Sequence, residues 1–487
     1  MTSQIYQTHE NFSNYMGRVW THMKLDINEI TSTSATNTEV ETEWKERAEG
    51  PKKILILMSD TGGGHRASAV SLKDALETMH PEGSLDIKIV DALEDYTLWF
   101  SNRMYNWYTT YPIVWGTLYK HTKSTAGLPW PVDTSKFLEP TVRSGFRRCV
   151  EAEKPDLVIS VHPIMQAIAL SHFMPKTWRH WERTSTLQKV GHKKGMKIPF
   201  LTCVTDLGEA HPWWFNPEAD KLFVPTENMK KKALSCGLKE DQISVVGLPL
   251  RQGFWNVDVT ESNTQEKRKI LGLQKERKLI LVMGGGDGMG KLKEIVLNLG
   301  KQLEDQSANV HMVVVCGRNA ALEKKLVSNK WGPETVMRPQ HEDGTKLTEE
   351  NADSDKKVFL SILGFVKNME EWMIAADILV TKAGPGTIAE AAVCGLPCML
   401  YDFLPGQEEG NITFVKEQGM GTYEEVPTKA AEVVCQWLSD PAILTDLSAK
   451  AKAASNAKAA VQIAEEVSKF LQINEQEDAT DIEEAVE

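Results

Sequence analysis

Two glycine-rich loops constrain the fold of this chain more than any other feature of its sequence. Residues 61–65 read TGGGH and follow an apolar run at 53–58, and residues 284–290 read GGGDGMG and follow another at 279–283. Each loop precedes a stretch with helical spacing, which gives the order strand, glycine turn, helix that opens a Rossmann-like unit. We therefore predict an α/β protein with two doubly wound lobes that face a central cleft.

Further short apolar runs follow both loops, with helical stretches between most of them. The predicted strands lie at 87–90, 157–161, 200–204, 221–224 and 243–246 in the first lobe, and at 310–315, 358–363, 378–380 and 398–401 in the second. The long polar stretch 331–356 is expected to be a surface insertion. Ligands of such sheets bind at the carboxyl ends of the strands, so the sequence predicts a binding site in the cleft.

Charge and composition divide the chain into five parts. A charged, Asn-containing stretch at 257–269 marks the boundary between the lobes. The predicted parts are an N-terminal extension and linker at 1–51, a first lobe at 52–256, a second lobe at 257–440, C-terminal helices at 441–471 and an acidic disordered tail at 472–487. The N-terminal part lacks the apolar centre of a signal peptide, and its acidic residues argue against a transit peptide.

Composition excludes several classes of protein. With a net charge of −12 over 487 residues, a general nucleic-acid binder is not expected, because phosphate binding needs a basic surface. The seven scattered cysteines are expected to be reduced thiols in the core. No apolar run approaches the ~20 residues that a membrane helix needs, and no feature specifies an oligomeric state.

The first glycine loop is expected to place His65 at the start of a helix. The positive end of the helix dipole favours a neutral imidazole, which can accept a proton. Two interpretations stay open: His65 is a general base, or it caps a plain glycine-rich turn. The loop is not a P-loop, because the Lys-Ser/Thr ending is missing.

The second glycine loop is typical of an anion-binding site. Its first five residues are Gly284, Gly285, Gly286, Asp287 and Gly288. Successive amides in such a loop form a concavity that binds anions, reinforced by the dipole of the following helix. Arg251 adds a planar guanidinium that can bind phosphate oxygens in pairs. Together they predict a diphosphate cradle, although a surface salt bridge is the alternative for Arg251 alone.

The densest motif, KAGPGTIAEA, spans residues 382–391. It predicts a loop and helix N-cap formed by Gly384, Pro385, Gly386 and Thr387. Glu390 follows about one turn into the helix, where a carboxylate can accept hydrogen bonds from both hydroxyls of a ribose. Downstream, the loop PGQEEGN at 405–411 crowds amide and carboxyl groups, including Gln407 and Glu408, which suit the hydroxyls of a sugar better than a core.

In this order the motifs resemble those of the plant and algal monogalactosyldiacylglycerol synthases of glycosyltransferase family 28. The matching segments are LMSDTGGGHRAS, SVHPIMQ, VTDL, HPWWF, GLPLR, MGGGDGMG, CGRN, TKAGPGTIAEA and PGQEEGN, between residues 52 and 437. The resemblance implies a GT-B fold, UDP-α-galactose as donor and diacylglycerol as acceptor. It also implies inversion to a β-galactoside with no cofactor and no catalytic metal.

The resemblance further implies roles for individual residues. His65 would deprotonate the acceptor hydroxyl, oriented by a carboxylate that the sequence does not identify. The donor site would hold the UDP phosphates through His211, Arg251, the loop 284–288, Gly384, Gly386 and Thr387, with Pro385 in the same loop. Phe365 would lie against the uracil and Glu390 would bind the ribose. Gln407 and Glu408 would face the galactose.

Anionic phospholipids of a membrane surface are the other partners that the resemblance implies. The segment His162, Pro163, Ile164, Met165 and Gln166 matches a part linked in the family to the response to anionic lipid. Aromatic residues between positions 99 and 130 and basic clusters such as that at 230–232 would dock peripherally on the plastid (chloroplast) envelope. A buried aromatic cluster and solvated helix faces are the alternatives.

Two other functions stay open from the sequence. A glucosyl-diacylglycerol synthase, or a transferase to another lipid, would use UDP-glucose, which differs from UDP-galactose at one hydroxyl. A non-catalytic UDP-sugar-binding protein would keep the fold without the chemistry. The presence of both His65 and Glu390 favours an enzyme.

Overall fold

The strands form two separate parallel sheets, one in each half of the chain. A computed structural model describes residues 50–59, 64–95, 112–125, 146, 148–170, 198–285, 291–306, 308–338 and 357–484. The central strands are buried along their whole length rather than on alternate residues, as expected for parallel strands that are covered on both faces. The prediction of two doubly wound lobes is confirmed.

The first sheet begins at the first glycine loop. Its strands are β1 (Lys52–Met58), β2 (Leu85–Asp91), β3 (Leu157–Ser160), β4 (Phe200–Cys203), β5 (Lys221–Val224) and β6 (Ile243–Val245). They lie in the order β2-β1-β3-β4-β5-β6. Because β2 and β3 flank β1, the strand order reverses between β1 and β3, and a crevice opens beyond their carboxyl ends.

Helices alternate along the chain with the strands of this sheet. They are α1 (Gly64–Met79), α2 (Ala92–Asp95), α3 (Pro112–Thr125), α4 (Pro163–Leu170) and α5 (Glu227–Ser235). Helix α1 starts directly after the first glycine loop and packs Ala69, Leu72 and Leu76 against the sheet. These residues recur at helical spacing, which turns one apolar stripe of α1 towards the core.

The second sheet repeats the pattern around the second glycine loop. Its strands are β7 (Lys278–Met283), β8 (Val310–Val315), β9 (Thr335–Met337), β10 (Val358–Leu363), β11 (Ile378–Lys382), β12 (Cys398–Asp402) and β13 (Gly421–Tyr423). They lie in the order β13-β12-β11-β7-β8-β10-β9, so the strand order reverses between β7 and β11. The helices are α6 (Glu261–Ile270), α7 (Leu292–Asp305), α8 (Ala320–Val327), α9 (Met369–Ala375), α10 (Pro385–Val393), α11 (Glu409–Glu417) and α12 (Pro427–Ser439).

Strands β9 and β13, at the two edges of the second sheet, were not predicted from the sequence. Each has three residues of intermediate burial, so neither produces the buried apolar run on which the prediction rested. Strand β9 lies inside 331–356, which we expected to be a surface insertion. Instead Thr335–Met337 pairs with β10, and the expectation is wrong for these residues.

The chain returns to the first lobe at its C-terminus. Helix α13 (Pro441–Ala453) packs on the second lobe, where Ser448 Oγ donates to the Gly395 carbonyl at 2.6 Å. Helix α14 (Ala459–Glu484) packs Ile463 and Val467 into the core of the first lobe. It continues to Glu484, which differs from the disordered tail expected for 472–487. Glu, the most frequent residue there, is a good helix former.

The cysteines lie where the sequence suggested. All seven are free thiols, and all but Cys236 are buried. The domain boundaries at 51/52, 256/257, 440/441 and 471/472 stay predictions, with the addition that the last helix shares the core of the first lobe.

Candidate active site

The reversal of strand order in the first lobe brings His65 to the end of β3. His65 lies in the first turn of α1, just after β1, and is buried. Its Nδ1 lies 2.8 Å from the carbonyl oxygen of Val161, the residue that follows β3, and 3.0 Å from Thr205 Oγ1. A carbonyl oxygen can only accept a hydrogen bond, so Nδ1 carries the proton and the basic lone pair of the neutral ring is on Nε2.

Two groups lie at Nδ1 of His65, a backbone carbonyl and a threonine hydroxyl. The carboxylate that we expected to orient His65 stays a prediction. The carbonyl fixes the tautomer as a carboxylate would, without adding a negative charge. His65 therefore has the orientation and the tautomer that a general base needs.

His162 packs edge-on against His65, with ring centroids 4.5 Å apart. Its Nδ1 accepts a hydrogen bond from the backbone N–H of Ile164 at 3.2 Å. Burial and the neighbouring His65 hold the pKa of His162 well below its usual range, so this ring stays neutral. His162, Met165 and Gln166 are buried, while Pro163 and Ile164 are half-buried. The segment 162–166 therefore packs beside His65. Its link to anionic lipid stays a prediction.

Asp206 and Trp214 lie beside His65 and are not among the predicted site residues. The indole N–H of Trp214 donates to Asp206 Oδ2 at 2.9 Å, and the indole ring lies 6.4 Å from the ring of His65. Burial, together with the nearby Glu408, raises the pKa of Asp206 to about 7. A buried carboxyl that titrates near neutrality is typical of functional sites. The signal was present in the VTDL and HPWWF motifs.

His211 is buried, and both of its ring nitrogens lie within hydrogen-bond distance of other protein groups. Its Nδ1 accepts from the backbone N–H of Trp213 at 3.2 Å, and its Nε2 lies 3.3 Å from the hydroxyl of Thr122 on α3. Burial lowers its pKa to about 3, so the ring is neutral. His211 therefore ties α3 to the loop that follows β4, and its phosphate contact stays a prediction.

The reversal of strand order in the second lobe brings two glycine loops together. Gly284 and Gly285 follow β7, and Gly384 is the N-cap of α10 just after β11. A Cβ atom added to Gly285 would lie 3.2 Å from Lys382 Cε, and one added to Gly384 would lie 3.7 Å from Lys382 Nζ. Gly286, Asp287 and Gly288 lie outside the described residues.

The start of α10 faces open space. A Cβ atom added to Gly386 would have no neighbour within 4 Å among the described residues. The N–H groups of the first helical turn, which include those of Gly386 and Thr387, have no partner within the helix. They point at a position that suits an anion, and Pro385 costs no donor there because it occupies the first helical position.

Arg251 and Glu390, which lie 139 residues apart in sequence, form an ion pair. Nε and Nη2 of Arg251 both donate to Glu390 Oε1, at 2.9 and 2.7 Å. Burial raises the pKa of Glu390, and Arg251 opposes that rise. The predicted phosphate ligand and the predicted ribose ligand therefore already neutralise each other in the folded chain.

A second ion pair joins the glycine loops to the loop at 405–411. Lys382 Nζ lies 2.5 Å from Glu408 Oε1, and Glu408 Oε2 accepts from the backbone N–H of Leu404 at 2.8 Å. Glu408 is buried, whereas Gln407 is half-exposed. Lys382 is not among the predicted site residues.

Phe365 lies just beyond the carboxyl end of β10 and is 55% exposed. The guanidinium of Arg318, beyond the end of β8, sits 5.8 Å from the centre of its ring. An aromatic face held open to solvent at this edge of the sheet suits stacking on a flat base.

The two lobes touch beside these groups. Asn411 accepts from the backbone N–H of Leu207 at 3.0 Å and donates to the carbonyl of Ala383 at 3.0 Å, which ties the first lobe to the second. Asn411 is fully buried. It was counted among the side chains that suit a sugar, and that interpretation is wrong because its amide is used between the lobes. Gly208 and Gly410 pack backbone against backbone at the same contact.

The described residues add two observations. No described helix is long and apolar enough to cross a bilayer. In the same part of the chain, no group of three or more His, Cys, Asp or Glu side chains is placed to hold a metal ion.

His65, at one reversal of strand order, faces glycine loops, cations and an exposed aromatic ring at the other. With two doubly wound lobes, this defines the class of GT-B glycosyltransferases. Residues 65–250 match the family model for monogalactosyldiacylglycerol (MGDG) synthase, and residues 279–469 match the glycosyltransferase family 28 C-terminal domain. The chain belongs to the monogalactosyldiacylglycerol synthase family.

Individual relatives agree with this assignment. Monogalactosyldiacylglycerol synthase 3, chloroplastic, of Arabidopsis thaliana is 35% identical over 81% of this chain and 76% of its own length. The chloroplastic synthase of Spinacia oleracea is 35% identical over 81% of this chain and 67% of its own. The crystal structure of MurG from Acinetobacter baumannii shares the fold, with a TM-score of 0.50 and 14% identity over 86% of this chain and 100% of MurG.

Proposed function

We propose that this protein transfers galactose from UDP-α-galactose to the sn-3 hydroxyl of diacylglycerol and so forms monogalactosyldiacylglycerol. Membership of the synthase family supports the substrates. The observation that carries the chemistry is the position of His65, whose Nδ1 is held by the Val161 carbonyl so that Nε2 can accept a proton.

The reaction is a single displacement that inverts the anomeric carbon. His65 Nε2 takes the proton of the sn-3 hydroxyl while its oxygen bonds to the anomeric carbon from the face opposite UDP. The bond from that carbon to the β-phosphate oxygen breaks, and UDP leaves with the electron pair. The glycine-loop amides, the N-terminus of α10 and Arg251 stabilise the charge that develops on the diphosphate, a task for which many glycosyltransferases use a metal.

The proposal assigns the remaining donor contacts to residues of the second lobe. Glu390 accepts hydrogen bonds from the ribose, Phe365 stacks on the uracil, and Gln407 and Glu408 face the galactose. The ion pair with Arg251 supports the first assignment, because it favours the charged form of the buried Glu390 beside the predicted phosphate position.

Glu390→Gln should weaken binding of UDP and of UDP-galactose alike, each about tenfold. The ribose is common to both ligands. The variant lacks the charged acceptor for the ribose hydroxyls and also the ion pair between Glu390 and Arg251. Titration calorimetry with the two ligands measures the effect. Glu371→Gln, which breaks the pair with Lys267 outside the site, serves as control. A defect confined to UDP-galactose would move Glu390 to the sugar subsite.

The direct test of the function is incubation with labelled UDP-galactose or UDP-glucose and mixed diacylglycerol vesicles, followed by lipid chromatography. We expect a galactolipid, and we expect it also in EDTA. A glucolipid instead would favour the alternative donor. UDP binding without any product would favour a non-catalytic UDP-sugar-binding protein. Loss in EDTA with rescue by manganese would contradict a metal-free displacement.

The proposal places the protein at the surface of the chloroplast envelope, because its acceptor stays in the bilayer. The relatives are named as chloroplastic. On α5, Lys231 and Lys232 are exposed beside Leu234, which is also exposed, and such a face suits anionic headgroups. Arg148 is exposed as well, whereas Arg143, Arg147 and most aromatic residues between 99 and 130 lie outside the described residues.

Reversing the charge of Lys231 and Lys232 together should weaken binding to phosphatidylglycerol vesicles by at least tenfold. Each lysine near an anionic surface contributes about 1 kcal/mol, and added salt screens it within about 8 Å. Vesicle co-sedimentation across a salt series measures the effect. The control reverses Lys324 and Lys325, which are exposed on α8 of the other lobe. Binding that ignores lipid charge and salt would contradict docking through α5.

A further inference from the structure

Lys382 occupies an electrostatically unusual position. It is the last residue of β11, where the pairing with β12 shifts register between Thr381 and Lys382. Such an irregularity re-aims a side chain, and here the aliphatic part of Lys382 lies against Gly285 while its Nζ lies beside Gly384, the N-cap of α10. A cation beside the positive end of a helix is unfavourable unless an anion accompanies it.

Glu408 is the anion that accompanies Lys382 in this structure. Its Oε1 lies 2.5 Å from Nζ, and it also comes within 3.9 Å of a Cβ atom added to Gly384. The carboxylate therefore sits at the mouth of the anion-binding turn of α10. A donor diphosphate would carry more negative charge to the same turn and would compete with Glu408 for the lysine.

We propose that Lys382 is a further binding residue for the donor diphosphate and that Glu408 holds it in place until the donor enters. When Nζ moves to a phosphate oxygen, Glu408 Oε1 becomes available to a hydroxyl of the donor sugar. Glu408 itself stays in position, because Leu404 N–H still donates to Oε2. The inference rests on the proposed UDP-galactose site and adds a residue and a coupling to it.

The first experiment titrates wild type, Lys382→Met and Lys382→Arg with UDP and with uridine. We expect Lys382→Met to weaken UDP about ten- to hundredfold and to leave uridine nearly unchanged, with partial recovery in Lys382→Arg. Lys267→Met is the matched control, because Lys267 forms an ion pair of similar exposure in the same lobe, away from the glycine loops. Equal losses for uridine and UDP, or no loss for UDP, would overturn the proposal.

The second experiment tests the competition between Glu408 and the donor diphosphate for Lys382. Glu408→Gln should tighten UDP binding severalfold, because Lys382 is no longer held by a carboxylate. The gain should largely vanish in the Lys382→Met background, where there is no ammonium to release. A gain of equal size in both backgrounds would mean simple removal of a negative charge and would contradict the exchange. Wild-type protein that fails to bind UDP would instead reject the proposed function, and the inference with it.

Discussion

Replacing His65 with alanine should lower turnover about 10²–10⁴-fold, the usual contribution of a positioned general base. His65 lies in the first lobe, whereas the groups assigned to UDP, apart from His211 and Arg251, lie in the second lobe. UDP affinity should therefore change much less than turnover. Steady-state kinetics with diacylglycerol vesicles, together with UDP titration, measures the two quantities separately.

His80→Ala is the control for this experiment. It also removes an imidazole next to α1, but one that contacts Ser468 on α14 rather than the site. Its turnover should stay near that of the wild type. If His65→Ala lost UDP affinity as strongly as turnover, His65 would belong to the donor site. If turnover fell less than tenfold, another group would have to act as the base.

Gly208→Ala should lower kcat/KM about a hundredfold by separating the lobes locally. A Cβ atom at Gly208 would overlap the carbonyl group of Gly410 in the other lobe. This backbone cannot give way as a flexible side chain could. Displacement would also break the bonds from Leu207 and Gly208 to Asn411. The base and the donor would then be misplaced, and an error of about 1 Å can cost 10²-fold in rate.

Each lobe should remain folded in Gly208→Ala, because the overlap lies between the lobes. Thermal unfolding and circular dichroism check this, while kinetics gives the loss of activity. Glu209→Ala, in the same loop, removes an exposed ion pair with Lys123 and should stay close to wild type, since such pairs contribute little. Wild-type activity in Gly208→Ala would show that the reaction does not need the Gly208–Gly410 contact.

The strands of both sheets could be predicted because their signal is local. Val310–Val315 and Val358–Leu363 are buried at every residue, so the apolar run in the sequence equals the strand. The three-residue strands β9 and β13 gave no such run. For the loop at 405–411, residue type alone predicted contacts to a sugar. Asn411 in this loop is instead buried and hydrogen-bonded between the lobes.

The sequence by itself determined the two lobes, the glycine loops and the place of His65 at a helix start, since each depends on residues close together in the chain. Only the tertiary structure decided which charges meet. Arg251 pairs with Glu390 across 139 residues, and Leu207 meets Asn411 across 204. It also decided that α14 returns to the core of the first lobe. Such contacts depend on how the two sheets and their loops are arranged in space, and no local pattern of residue types records that arrangement.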